Sequence, residues 1–227
     1  MLAWRCRLLS APGSLVGVVA GIFLDAAAAV APLLRTRELA DGWSRPSALA
    51  EFRISGLAGH LARAVFNVER YLEAPVPPDA PMLNAVTYFQ PATGLDGRDP
   101  TDDVHRIIRE RGEQDAAGGP EELADRYDAT RARLAVRLAE LPDDRPVLMF
   151  GRVLPLGECV VTRLVELAVH TDDLAVSLGL PTPDIGEQAS DLVIATLGLI
   201  SRRRHGTLPV LRALSRRERA PADVAAF

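Results

Sequence analysis

The stretch Arg163-Leu-Val-Glu166-Leu-Ala-Val-His170-Thr-Asp-Asp173-Leu-Ala constrains this chain more than any other. It lies in a helical pattern that is apolar nearly all round. Leu156, Val160, Leu164, Leu167, Leu174 and Leu178 recur at helical spacing as one stripe. Val161, Val165, Val169 and Val176 form a second stripe on nearly the opposite side. Between them runs a single polar row: Cys159, Arg163, Glu166, His170, Asp173 and Ser177. Such a helix is expected to be buried, and buried ionisable groups must be paired or ligated. Glu166 and His170, four residues apart, project side by side from one helix face. A carboxylate and an imidazole so placed can grip one metal ion, as in metal-binding helical bundles. The competing reading is an internal ion-pair ladder, Arg163 to Glu166 and His170 to Asp173. For the pair alone that ladder is the stronger reading, so a metal site requires a third ligand from elsewhere in the chain.

With 227 residues, 48% of them hydrophobic and 25% charged, the chain can bury a sizeable core, most simply as one globular domain. A formal net charge of −4 gives no overall signal for nucleic-acid binding. All 26 basic residues are arginine, which speaks to codon usage rather than mechanism. Two cysteines, Cys6 and Cys159, do not make a disulfide framework, and a reducing, cytoplasmic compartment is the expectation. Nitrogen ligands for any metal must come from His60, His105, His170 and His205.

Residues 1–14 read as a disordered leader. Leu15 to Leu34 is a largely apolar run behind Arg5 and Arg7, which resembles a signal peptide or a membrane span. Asp25 in mid-run and the weakly hydrophobic alanines after it favour a first bundle helix instead, continuing without a break to Ala40. A membrane anchor is the alternative. A second helix is expected from Ser55, as N-cap, to Glu73, where Ala74-Pro75 ends it. His60 sits at the edge of its apolar stripe, with Asn67 and Tyr71 further along the same side. A lone histidine there is more often a packed boundary residue than a ligand. Pro75 to Pro100 reads as a long irregular connection in which Tyr88, Phe89 and Gln90 could line a pocket mouth, with packing as their favoured role. Thr101-Asp102-Asp103 caps a charged helix to Ala117, with His105 expected to be exposed. Another helix opens at Pro120-Glu121-Glu122 and runs to Leu141. Val147 to Phe150 is a short extended piece leading into the polar-row helix. A last long helix spans Ile185 to Arg204, with Gly206 as its C-cap. The remaining residues 207–227, with Arg212, Arg216, Arg217 and Arg219, read as a solvated short helix or as an anion-binding patch folded over a pocket.

Two segments taken together resemble a known family. Leu57-Ala-Gly-His60-Leu-Ala-Arg-Ala, followed about a hundred residues later by Arg163 to Gly179, is similar to the mycothiol-dependent maleylpyruvate isomerase family, within the DinB-like superfamily of metal-binding four-helix bundles. The resemblance implies an all-α, DinB-like four-helix bundle over residues 15–206, with additional short helices and a C-terminal helical extension. It implies a divalent ion, typically Zn2+, held by His60, Glu166 and His170, with positions left for water or a thiol. It also implies mycothiol as the thiol, a small electrophilic substrate, and isomerisation or S-conjugation as the outcome. Arg163 and Asp173 are the candidate catalytic residues beside those ligands. Arg163 is expected to orient Glu166 in preference to pairing a substrate carboxylate, and Asp173 to accept a hydrogen bond from His170 or to form a purely structural helix pair with it. Cys159 is expected to be inert core packing. The isomerase carries a further C-terminal domain that contributes to its active site, so its substrate is not carried over with the fold. No nucleic acid or membrane partner is expected, and a monomer or homodimer is. The rival is a non-catalytic bundle with a structural or sensory metal, or with a buried ion-pair row. His60 discriminates: facing the cavity of Glu166 and His170 it keeps the metal reading, and facing solvent it ends it.

Overall fold

The computed structural model describes residues 17–89 and 103–227. The expectations for the leader at 1–14, Cys6, Gln90 and the capping pair Thr101 and Asp102 lie outside them. The fold is all-α apart from one small hairpin. The first helix, α1 (Val18–Val30), does not run on to Ala40. Pro32 has no N–H to give to the Ala28 carbonyl, so the chain tightens into a 3-10 turn, Ala31–Arg35. Thr36 then starts a separate α2 (Arg37–Gly42), its hydroxyl accepting from the Leu39 N–H. The window Val18–Arg35, with mean hydropathy 1.8, is long and apolar enough to cross a membrane. In this fold its inner face, including Phe23, Ala26, Ala27, Val30 and Leu34, lies in the core.

The second bundle helix is α3 (Ile54–Glu73). Its N-cap is Arg53 rather than Ser55. Ser55 lies inside the helix because its hydroxyl is used elsewhere, donating to Glu113 at 2.8 Å. The connection after Glu73 contains a one-turn helix, α4 (Ala85–Tyr88), closed by a capping box between Asn84 and Thr87. The charged helix α5 (Asp103–Asp115) lies against α3. A Cβ on Gly59 would fall on the Gly112 carbonyl oxygen, and a Cβ on Gly112 on the Gly56 oxygen. The two backbones therefore approach as only glycine permits.

The third bundle helix, α6 (Gly119–Ala139), opens with Pro120 and two acids in its first turn, as the sequence indicates. The buried Tyr127 hydroxyl donates to the Ala27 carbonyl of α1 at 3.0 Å. The extended piece expected near Val147 is β1 (Pro146–Met149), and it has an antiparallel partner, β2 (Arg152–Pro155). Phe150 and Gly151, both at positive φ, make the two-residue turn between them. From Pro155 the chain enters α7 (Leu156–Leu178), which ends at Gly179 in the left-handed conformation. Last come α8 (Glu187–His205), ended by Gly206, then α9 (Thr207–Ser215) and a 3-10 turn at Arg217–Arg219.

Helices α1, α3, α6 and α7 close a ring. Each of α1 and α3 packs on both α6 and α7, while α8 covers α7 and α1 from outside. The core between them is built from fully buried leucines, valines, Phe23 and Tyr127. Each such side chain contributes roughly 1.5–3 kcal/mol. The ring sets α3 beside α7, and that brings the two sequence segments with histidines face to face.

Candidate metal centre

On α7, Glu166 and His170 of the polar row face α3, and the opposing residue on α3 is His60. Its Nε2 lies 3.0 Å from His170 Nε2 and 3.8 Å from Glu166 Oε2, and His170 Nε2 lies 3.4 Å from the same oxygen. The three side chains are 16%, 23% and 18% exposed for His60, Glu166 and His170, so they are recessed yet reachable. The distances bracket the roughly 3.3 Å separation between ligands bonded at about 2.0–2.1 Å to a tetrahedral zinc. Two imidazole nitrogens and a carboxylate oxygen aimed at one point form a donor set that could hold a divalent ion. His60 therefore faces the cavity that Glu166 and His170 face.

The surroundings bias His60 and Glu166 toward the forms a ligand needs, whereas His170 holds a proton that it must give up to bind a metal. Burial, reinforced by the neighbouring His170, lowers His60 to about 3, so it is neutral at physiological pH. Burial raises Glu166, but the hydrogen bond from His170 and the charge of Arg163 outweigh it and hold the carboxylate down at about 2. Burial likewise lowers His170, yet hydrogen bonds to Asp173 and Glu166 prevail and raise it to about 9. His170 Nδ1 lies 2.9 Å from Asp173 Oδ2, the contact the sequence suggested, and this fixes the ring with Nε2 inward. Nothing comparable holds His60: its Nδ1 is buried without a hydrogen-bond partner among the described residues. Packing orients that ring instead, with Phe52 5.9 Å away and the His170 edge 4.4 Å away, centroid to centroid.

Arg163 is almost fully buried, and its Nη2 stands 3.8 Å from Glu166 Oε1, an ion-pair distance rather than a hydrogen bond. Its Nε donates to Thr162 Oγ1 at 3.1 Å. Cys159 is core, 3.7 Å from Met149 Sδ, with its thiol pushed up to about 12 by burial. His205 is remote from the centre and bonds the Ala225 carbonyl at 2.8 Å.

Two cavities meet at this centre, with His60 and Glu166 in the wall of both. One, about 460 Å³, is mainly apolar: Leu49, Phe52, Phe89, Ile108, Val165, Val169 and Phe227 line it, with His170 and Asp173 at its floor. The other, about 370 Å³, is cationic, with Arg63, Arg111, Arg152 and Arg163 around Asn67 and Tyr88. Tyr71 lies close by with its hydroxyl buried and unpartnered among the described residues.

Tyr88 and Phe89, expected mainly as packing residues, are buried and also line the site, one in each cavity. His105, expected to be exposed, is half-buried in the apolar wall because α5 lies over α3. The arginines of the tail, expected as a possible patch over a pocket, line neither cavity; Phe227 does so instead. Sequence reasoning missed Arg63, although it lies three residues after His60 and one helical turn along the same face. It also missed Phe52, Arg152 and Phe227, which reach the site from a connection, a hairpin and a tail with no periodic signal.

Fold and site together define a helical bundle with a candidate two-histidine, one-carboxylate centre between two neighbouring helices. The sequence profile of the mycothiol maleylpyruvate isomerase N-terminal domain matches residues 23–175, and the chain belongs to that family. The bundle is consistent with the DinB-like superfamily. No curated protein and no solved structure matches the chain.

Proposed function

We propose that the chain is a metal-dependent enzyme that uses a small thiol of the mycothiol type to act on a small electrophilic acid, by isomerisation or by S-transfer. The observation that carries this reading is the convergence of His60 Nε2, Glu166 Oε2 and His170 Nε2 where an apolar and a cationic cavity meet. In this reading the three are metal ligands. Zinc is the first choice, and non-haem iron suits the same donor set. A divalent ion held there supplies the electrostatics that keep a bound thiol as thiolate near neutral pH.

The rest falls to the chain. Asp173 holds the His170 ring so that Nε2 stays turned inward. Arg163, too far from Glu166 to hydrogen-bond it, turns to the cationic cavity, where it pairs a substrate carboxylate in preference to orienting Glu166. The apolar cavity accepts the carbon skeleton and excludes water from it. With Cys159 buried as a thiol, the nucleophile is brought in by the cofactor. An unbridged Cys159 fits a reducing cytoplasm as the place of this chemistry.

A second reading, a non-catalytic bundle with a buried ion-pair row, draws on the same contacts: His170 with Asp173 at 2.9 Å and Arg163 with Glu166 at 3.8 Å. Metal analysis of the purified protein beside His170→Ala separates the two. Near one equivalent of zinc in the wild type and little in the variant is the expected result. A wild type that stays metal-free even after zinc is supplied would leave the ion-pair row and remove the enzyme reading.

A further inference from the structure

The strongest charge asymmetry of the chain lies away from the metal centre. Residues 202–219 hold seven arginines and one glutamate, in a protein whose formal charge is −4. In their midst stands α9, nine residues long, which packs on α8 and buries Val210 against the fold. Its outer side carries Leu208, Leu211 and Leu214, spaced three apart and 51%, 57% and 81% exposed. Single exposed leucines are ordinary on a protein surface; three in a row on one short helix are a patch. Arg202, Arg203, Arg212 and Arg217 make no ion pair among the described residues. Among the described residues the Arg216 side chain bonds the adjacent Ser215 carbonyl, and Arg219 leans on Glu218. The helix dipole of α8 explains a basic last turn at Arg202 to His205 but none of the arginines beyond Gly206.

We propose that α9 and the arginines flanking it form a docking surface for a lipid bilayer with anionic headgroups. Leu208, Leu211 and Leu214 enter the boundary between headgroups and acyl chains, while Arg212, Arg216 and Arg217 stay at headgroup level and pair with phosphates. An apolar helix face bordered by arginine is the pattern of helices that lie in the interface plane. The charge complements an anionic leaflet, toward which each basic side chain adds attraction. A second copy of the chain is a poorer occupant, because a two-fold contact through this face would set one arginine cluster against its twin. A nucleic-acid backbone would use the arginines and leave three leucines in water. The attachment is independent of the metal centre.

The test is flotation of the purified full chain with large vesicles of phosphatidylcholine alone, or mixed with phosphatidylglycerol, at low and high salt. The expected result is binding to the anionic vesicles only, weakened by salt. The triple variants Leu208→Ser/Leu211→Ser/Leu214→Ser and Arg212→Gln/Arg216→Gln/Arg217→Gln should each lower the bound fraction about tenfold or more, with unchanged helical circular dichroism. Leu214→Ser alone, at the most exposed position, should lower it a few-fold, a result independent of whether the triple leucine variant folds. Absence of binding to anionic vesicles overturns the proposal. So does full binding by the leucine variants, especially with retention of a DNA duplex, which would mark a simple anion patch. A change of oligomeric state in the leucine variants would assign the face to a second copy, and equal binding to phosphatidylcholine alone would remove the role of charge.

Discussion

Asp173 and Arg163 divide the surroundings of the candidate centre between them. The Asp173 carboxylate bonds the far nitrogen of His170, so its effect is to hold the ring and raise its basicity. Asp173→Ala should weaken zinc affinity by about 10–100-fold while leaving the fold intact. Titration against a chromophoric chelator, with circular dichroism as control, measures it. Arg163 should behave in the opposite way. Arg163→Met is expected to leave zinc content near that of the wild type and to weaken maleate binding about tenfold or more, the order of a hydrogen bond to a charged group. Calorimetry with the metal-loaded protein checks both, and loss of metal in this variant would return Arg163 to the role of orienting Glu166. At this scale the sequence was most legible where side chains share a helix. Glu166, His170 and Asp173 follow from the helical repeat alone, and His60 joined them through a resemblance in its flanking residues. Arg152 and Phe227 were hidden because their positions depend on how a hairpin and a tail are folded back, which no local spacing encodes.

The element that most controls the site is the crossing of α5 over α3. Gly56, Gly59 and Gly112 let the two backbones touch, and His60 follows directly on Gly59. Gly59→Ala drives a methyl group into the Gly112 carbonyl, and one helix must move. The expected cost is about 1–3 kcal/mol in urea unfolding, accompanied by weaker zinc binding as His60 shifts. Gly198→Ala is the control. That glycine lies within α8 with nothing near its added Cβ, so the same substitution should stabilise by roughly 0.5–1 kcal/mol. The helices themselves were readable from period and breaker residues. Pro75 ends α3 and Gly206 ends α8 in the anticipated places, and Gly179 in the left-handed conformation ends α7. The misjudged boundaries have local causes: Pro32 interrupts α1, and Ser55 trades the N-cap position for a bond to Glu113. Strand β2 went unseen because four residues between a turn and a helix show too little alternation to register.

For the molecule as a whole, Asp115 is a central tie. Ending α5, it is buried among Arg63 and Arg70 of α3 and Arg126 of α6, and the Arg126 guanidinium also lies 4.1 Å over the Phe66 ring. Burial alone would raise its pKa, but Arg70, Arg126 and Arg63 together lower it below the ordinary carboxylate value. A carboxylate held lower in the folded chain than in the unfolded one stabilises the fold above its unfolded pKa, near 4. That contribution is lost as pH falls through the lowered folded value. Asp115→Asn should therefore cost about 3 kcal/mol at neutral pH and progressively less on acidification, which urea titrations across that range would show. A flat difference between wild type and variant would mean that the three arginines do not act through charge. The chain also folds its end back on itself. The Ser201 hydroxyl donates to the Val224 carbonyl, His205 Nε2 lies against the Ala225 carbonyl, and Phe227 rests on Phe89 in the wall of the apolar cavity. Anything joined after Phe227 is therefore delivered to the mouth of that cavity. A purification tag fused there would crowd the entrance, whereas an environment-sensitive dye at the same point would serve as a built-in reporter of what goes in.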